Sequence, residues 1–215
     1  MKDNYYKADY IPDTSRPIIW REIVNFLSKF IPRDATVVDL GAGYCDFINN
    51  IEASTKYAVD ISPELQDFAA PDVKKINSEA WDLGQIKDGS IDVVHASNLF
   101  EHFTDEELDR VMREVKRVLK PGGRLILMQP NFRYAYKSYF DDHTHKKVFT
   151  HVSLENFLVS YGFSVVYKMP KFLPYSMKGS PATKVPFLSL AVRLYLLSPW
   201  KPFAGQMLFV SRNDE

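Results

Sequence analysis

Two rhythms of apolar and polar residues share the chain. Short apolar runs suited to strands covered on both faces occur at residues 36–40, 56–60, 73–76, 91–95 and 124–128. Stripes with helical spacing lie between them. Ser15-Arg16-Pro17 predicts a helix start, with proline tolerated in the first turn, and Ile19, Ile23, Phe26, Leu27 and Phe30 form its apolar face before Pro32. Residues 45–51 read as a helix whose N-terminal amides would face a ligand, and Ser62-Pro63-Glu64 opens another. Thr104 and Glu107 predict a capping box ahead of the stripe Leu108, Val111, Met112, Val115, Val118 and Leu119. Lys120-Pro121-Gly122-Gly123 ends that helix.

Residues 130–151 form a long loop rich in aromatics, histidine and aspartate. A further helix carries Leu154, Phe157, Leu158 and Tyr161 and closes at Gly162. Strands follow at 163–167 and 206–210, separated by about 35 residues that include an apolar helix candidate over 186–197. Strand and helix alternate from 36 to 128, so the fold class is α/β, a Rossmann-like doubly wound sheet with helices on both faces. No internal repeat interrupts it. A single domain is expected over 1–215: an N-terminal arm or lid and helix (1–33), a core (34–169), an insertion or cap (170–204), and a final strand and tail (205–215).

Charge and cysteine content narrow the functional classes. Lys+Arg 27 balances Asp+Glu 27, so a general basic footprint for nucleic acid is absent. One cysteine, Cys45, excludes an intrachain disulfide framework and suits a reducing compartment. The N-terminus has no apolar signal region, and the longest apolar run, 185–197, contains Arg193 and is shorter than the roughly 20 residues a membrane span needs. A cytoplasmic location is expected.

The stretch Asp39-Leu40-Gly41-Ala42-Gly43 runs from a strand into a glycine turn, the usual cradle of a nucleotide-like ligand. Two ligands compete for it. A dinucleotide dehydrogenase wants a third glycine where this chain has Asp46, and Asp39 would repel a pyrophosphate. S-adenosylmethionine reverses the sign, because Asp39 can receive its cationic amino-acid end. Asp60, 21 positions on, stands at the tip of the second strand, where an acid accepts ribose hydroxyls. Ile61 is then placed to cover the adenine.

The segments "VVDLGAGYCDF", "YAVDI", "INSEAWDL", "DGSIDVVHASNLFEHF" and "REVKRVLKPGGRLILMQPN" resemble successive motifs of class I S-adenosylmethionine-dependent methyltransferases. The resemblance implies a seven-stranded, mostly parallel sheet whose last strand, 206–210, is antiparallel. It further implies that Asp39, Gly41, Ala42 and Gly43 line the methionine part, that Asp60 holds the ribose, that Glu79 and Ala80 flank the adenine, and that Ser97 and Asn98 close the site. S-adenosyl-L-homocysteine would be the product. Cys45 departs from a frequent third glycine and reads as a small buried residue.

Methyl transfer is an in-line displacement in which alignment supplies most of the acceleration. A hydroxyl acceptor also wants a base, and histidine is suited to it. His95 lies within a strand and reads as structural; His151 reads as a cap or surface residue. His102 follows the fourth strand, while Asp142, His143 and His145 sit in the long loop, with Asp142 as an orienting carboxylate. These four are the catalytic candidates, and no metal is assigned. A metal reading competes, since Glu101, His102, Asp142, His143 and His145 supply enough ligands. It resembles the metal-assisted small-RNA methyltransferases, but Asn98 replaces their first glutamate.

"SNLFEHF", "QPNFRY" and "YFDDHTHKKVFT" are similar to bacterial methyltransferases of polysaccharide and lipopolysaccharide assembly. That similarity implies a sugar or glycan hydroxyl or amine as acceptor. A non-catalytic S-adenosylmethionine-binding subunit stays open as an alternative. For the segment 172–203 three roles stand open: capping the pocket, homodimerisation, or peripheral membrane contact through 185–203.

Overall fold

A computed structural model describes residues 15–175 and 187–215. The expected arm or lid over 1–14, and residues 176–186 of the expected insertion, lie outside the described residues.

The chain enters as α1 (Arg16–Leu27), which has proline in its first turn and buries Ile19, Ile23, Val24 and Leu27. The alternating segment then follows: β1 (Thr36–Leu40), α2 (Asp46–Asn50), β2 (Thr55–Asp60), α3 (Leu65–Phe68), β3 (Val73–Asn77) and β4 (Ile91–Ser97). Next come α4 (Asp105–Val118), β5 (Leu119–Pro130), α5 (Phe132–Ala135), α6 (His151–Ser160), β6 (Phe163–Met169), α7 (Leu188–Leu197) and β7 (Gln206–Asn213). The α4 capping box forms as the spacing predicts: Glu107 N–H donates to the Thr104 hydroxyl at 3.2 Å, and Thr104 N–H to the Glu107 carboxylate at 2.8 Å.

The seven strands form one sheet in the order β3-β2-β1-β4-β5-β7-β6. β1 to β5 pair in parallel, and β7 inserts antiparallel between β5 and β6. The helices cover both faces. Ile19, Ile23, Leu27, Phe47 and Val192 belong to one packed cluster, and Leu108, Val111, Met112, Val115, Leu154 and Leu158 to the other. Each side of the sheet therefore buries a helical stripe against near-continuous apolar strands, which is what the run-and-stripe pattern demands.

Several boundaries differ from expectation. The helix expected over 45–51 shrinks to Asp46–Asn50, because Cys45 takes a left-handed conformation (φ 59°). It is too short to offer a ligand a row of amides. The helix before 120–123 does stop, at Val118, but the strand expected from 124 already begins at Leu119: Leu119 pairs with Ile91, the register shifts, and pairing resumes at Arg124 with Val93. Proline and the two glycines are accommodated as a bulge, the role such residues take inside a sheet. The long loop contains α5 and a tight turn at Tyr139–Asp141. Among the described residues, no helix is long and apolar enough to cross a membrane.

β1 lies between β2 and β4, so the chain reverses its winding direction there, and the crevice beyond the strands' C-terminal ends is where open α/β sheets hold ligands. Loops after β1, β2, β4 and β5 converge on that crevice.

Candidate active site

The β1 turn is latched to β2. Gly41 N–H and Ala42 N–H both donate to the Val59 carbonyl, at 2.8 and 3.1 Å, and Gly43 N–H donates to the Asp60 carboxylate at 2.8 Å. The second Asp60 oxygen accepts Ser62 N–H at 2.8 Å. Asp60 thus fixes both the glycine turn and the turn after β2. Gly41 adopts φ +69° and a Cβ there would sit 2.7 Å from a Leu99 methyl, so the position needs glycine for both conformation and space. Gly43 adopts φ +51°, but among the described residues nothing lies within 4 Å of where its Cβ would be. That open space above the turn fits a ligand approaching the backbone.

Asp39 does not stand free at the strand end. It is 3% exposed, and its carboxylate meets His95 Nδ1 across the β1–β4 pair at 2.7 Å. The His95 ring stacks on Phe47, with centroids 3.7 Å apart. His95 is therefore structural, as its strand position predicts, and it holds Asp39. Asp46, where a dehydrogenase would need glycine, receives Arg16 at 2.5 Å, tying α1 to α2. Burial pushes the Cys45 thiol up to about 12, followed in effect by the Asp39 charge, so it is an inert packing group.

The remaining candidates on the nucleotide side follow in order around the crevice. Ile61 is exposed beside Asp60. Glu79 and Ala80 come just after β3, partly buried, and the Glu79 carbonyl accepts Asp82 N–H at 2.9 Å. Ser97 ends β4, and Asn98 follows with φ +49°.

On the other side, the loops after β4 and β5 are stitched together by backbone. The Glu101 carbonyl accepts Lys146 N–H at 2.8 Å and Lys147 N–H at 3.0 Å. This brings His102 and the Asp142–His145 segment into one cluster. The Thr144 hydroxyl lies 2.5 Å from an Asp142 oxygen and 2.9 Å from His102 Nδ1, and Thr144 N–H donates to the same Asp142 oxygen at 2.9 Å. Burial alone would push the Asp142 carboxyl up, but the Thr144 donors and the neighbouring histidines hold it below the usual carboxylate range. An ionised carboxylate can only accept. The single Thr144 proton therefore goes to Asp142, the hydroxyl oxygen accepts His102 Nδ1–H, and the Nε2 lone pair is left free. Burial lowers the His102 pKa, and His145 lowers it further. His102 is neutral at pH 7.

His145 joins the cluster: its side chain is 4% exposed, its ring centroid is 4.9 Å from that of His102, and its Nε2 is 3.9 Å from Asp142. Glu101 is 1% exposed, neither carboxylate oxygen has a hydrogen-bond partner among the described residues, and burial pushes it up to about 8. Glu101, His102 and His145 can each offer a ligand atom, all within 4.8 Å of one another. His143 stays outside, exposed on the surface. His151, first residue of α6, meets the Asn131 amide at 3.1 Å and stacks with Tyr134. Sequence reasoning assigned no role to Thr144, although Asp-x-Thr is the spacing of a side-chain-capped turn. Glu101 entered only as a metal ligand, and its isolation is a product of tertiary packing.

A seven-stranded sheet with a reversed final strand, a glycine turn latched by an acid at the tip of β2, and open space above it define a class I S-adenosylmethionine-dependent methyltransferase. A family model described as "Methyltransferase domain" matches residues 14–168, and the chain belongs to that family. The chain is similar to a methyltransferase-like protein of Schizosaccharomyces pombe, 32% identical over 128 residues, covering 56% of this chain and 48% of the relative. It spans about half the length of the curated relatives it first matches. Among solved structures, it superposes on a chain of the complex between the Haloferax volcanii Trm112 methyltransferase activator and its methyltransferase (TM-score 0.70, 18% identity, covering 100% of this chain and 93% of that one). It also superposes on an S-adenosylmethionine-dependent methyltransferase from Archaeoglobus fulgidus (TM-score 0.63, 21% identity, covering 89% and 94%). At these identities the structural likeness is one of fold.

Proposed function

We propose that the protein moves a methyl group from S-adenosylmethionine to a hydroxyl of a small acceptor, a sugar or glycan intermediate, with His102 as general base. The observation that carries this reading is the Asp142–Thr144–His102 chain, with contacts of 2.5 and 2.9 Å. An amine acceptor needs only to be neutral, whereas a hydroxyl benefits from a base whose Nε2 is unprotonated and whose tautomer is fixed.

S-adenosylmethionine supplies an electrophilic methyl on a sulfonium. Asp39 and the turn Gly41–Gly43 receive its amino-acid end, Asp60 its ribose hydroxyls, and Ile61, Glu79 and Ala80 its adenine, while Ser97 and Asn98 close the site. Asp39 acts from a buried position, its orientation set by His95. As the acceptor oxygen bonds to the methyl carbon and the carbon–sulfur bond breaks, His102 Nε2 takes the hydroxyl proton. Thr144 and Asp142 keep the ring oriented and favour the imidazolium that forms. The aromatic side chains of Tyr134, Tyr136 and Phe140 are exposed along the loop after β5 and are suited to stacking on sugar rings. The whole chain serves as one methyltransferase domain, the segment after β6 capping its acceptor side, and the lone buried thiol suits a reducing cytoplasm.

A second reading has its own observation. Glu101, His102 and His145 form a two-histidine, one-carboxylate set, with His102 half-buried and the Glu101 oxygens unpaired among the described residues, a donor set that suits a divalent transition ion. In that case the ion would activate the acceptor and His102 would not be the base. Radiolabelled methyl transfer into nucleotide sugars, lipid-linked glycans, amines and RNA tests both readings. Label in a sugar hydroxyl, insensitive to chelator, supports the first. Label in amines or RNA alone would sink it.

A further inference from the structure

The segment joining β6 to β7 leaves and returns at the ligand edge of the sheet. β7 begins at Gln206, opposite Pro130 at the C-terminal end of β5, and β6 runs antiparallel to β7, so its Met169 end lies at the same edge. Tyr175, early in this connection, reaches the Tyr139 carbonyl at 3.5 Å, beside the histidine cluster. Both ends of the connection that carries α7 therefore lie at the ligand edge of the sheet.

α7 has two apolar faces. One, carrying Leu188, Val192 and Leu196, is buried, and Ser189 anchors the helix to Glu22 of α1 at 2.7 Å. The other carries Phe187, Leu190, Leu194 and Leu197, which at 3.6 residues per turn fall within roughly a quarter of the helix circumference. Trp200 and Phe203 follow in a loop held to the last helical turn: Lys201 donates to the Tyr195 and Leu196 carbonyls, and Tyr195 to the Pro202 carbonyl. These six large side chains are between 55% and 92% exposed. A helix already anchored through its buried face has no folding need for such a stripe, and exposed apolar patches of this kind mark interaction sites.

Two independent features say what covers it. Between Glu155 and Asp214 the chain has no acidic residue but seven basic ones, although the whole protein carries no net charge. Lys168 and Arg212 pair with Glu155 and Asp214, and Lys201 is buried against α7, which leaves Lys171, Lys178, Lys184 and Arg193. Arg193 is exposed and flanks the apolar stripe. Second, Phe187 and Phe203 both hold φ of 60°, a conformation that disfavours side chains with a Cβ. A backbone in that conformation is most easily made with glycine or asparagine, yet both positions present an exposed ring. An exposed face of leucine, phenylalanine and tryptophan beside Arg193, in a segment without acids, suits insertion into the interface of an anionic bilayer.

We propose that the exposed face of α7, with Trp200 and Phe203, docks the protein on an anionic membrane leaflet and so presents the active-site rim to acceptors held at the lipid surface. The docking surface stands apart from the base assignment above, and vesicle binding needs no methyl acceptor. The link to a lipid-borne acceptor rests on the glycan reading.

The test uses the full chain and vesicles of phosphatidylcholine alone or mixed equally with phosphatidylglycerol. Sedimentation with the mixed vesicles, a blue shift of tryptophan emission that is absent in Trp200→Ala, and at least tenfold weaker binding at high salt are expected. The variant Leu190→Ser/Leu194→Ser/Leu197→Ser is expected to lose vesicle binding at least tenfold while binding S-adenosylhomocysteine as the parent does, which shows that it is folded. Absence of binding by the parent protein, or undiminished binding by a folded triple variant, overturns the proposal. So does a dimer in analytical ultracentrifugation that the triple variant abolishes while the parent ignores vesicles, since the face then belongs to a second copy.

Discussion

The Thr144 hydroxyl bridges Asp142 and His102, 2.5 Å from the carboxylate and 2.9 Å from Nδ1 of the imidazole. Because the bridge fixes which ring nitrogen holds the proton, it has a kinetic signature. His102→Ala should lower kcat by roughly 10²–10⁴-fold, the usual range of general-base catalysis. Thr144→Val should lower it about tenfold, the worth of one neutral hydrogen bond. Both variants should bind S-adenosylhomocysteine with unchanged affinity in calorimetry. A His102→Ala enzyme of normal kcat would remove the histidine from the chemistry.

The pH profile follows from the same geometry. Burial and then His145 lower the His102 pKa below its ordinary 6.5, and the base works only when neutral. The rate should therefore be level near and above neutral pH, and fall as pH drops through a value below 6.5. Stopped time-point assays between pH 5 and 8, with both substrates saturating, would detect the acid limb. A profile flat across that range would leave positioning alone as the source of rate.

Glu101 has a pKa raised from 4.5 to about 8 in the folded protein by burial. Between those values the unfolded chain is ionised and the folded one holds the proton, so stability is greatest below 4.5 and declines as pH rises towards about 8. Glu101→Gln removes that titration. Relative to the variant, the parent should lose roughly 1–3 kcal/mol of stability between pH 5 and 8, read from urea unfolding at each pH. Parallel stability curves for the two proteins would contradict a buried neutral carboxyl.

Asp60 joins cofactor binding to the shape of the turn, since its oxygens hold Gly43 N–H and Ser62 N–H. Asp60→Ala should weaken S-adenosylhomocysteine binding by about 1–3 kcal/mol, measured by calorimetry. Gly41→Ala and Gly43→Ala separate conformation from space. Gly41→Ala forces a methyl into Leu99 and should lower the melting temperature markedly. Gly43→Ala meets no atom of the described residues, and at φ +51° it should cost about 1–2 kcal/mol of backbone strain. Its main effect should be on ligand affinity.

Chelation distinguishes the two readings of the histidine cluster. With His102 as base, protein dialysed against EDTA should keep its full kcat. Loss of activity that manganese or zinc restores, together with near-stoichiometric metal by elemental analysis of the parent and none in Glu101→Gln, would move the assignment to the ion.

The alternating runs and stripes were enough to place every strand of the sheet, because the central strands are buried on both faces and the longer helices on one, and those burials dictate local composition. Asp39, Asp60 and the glycine turn were legible for a related reason: a tight turn at a strand end needs those residue types wherever it occurs. Local capping was also legible at Thr104 and Glu107. The extent of α2 was not, since Cys45 leaves the helical region through backbone geometry that its side chain does not advertise. Nor was the bulge in β5, which depends on the register β4 imposes.

What the sequence by itself determined was the α/β class and the cofactor, both carried by near-neighbour residues. Only the tertiary structure separated His145 from His143, turned Asp39 inward to His95, and set Thr144 between Asp142 and His102. Those contacts join loops that are 42 or more residues apart in some cases. Which side chains meet there is decided by how the sheet brings strand ends together, and short-range pattern carries no record of that.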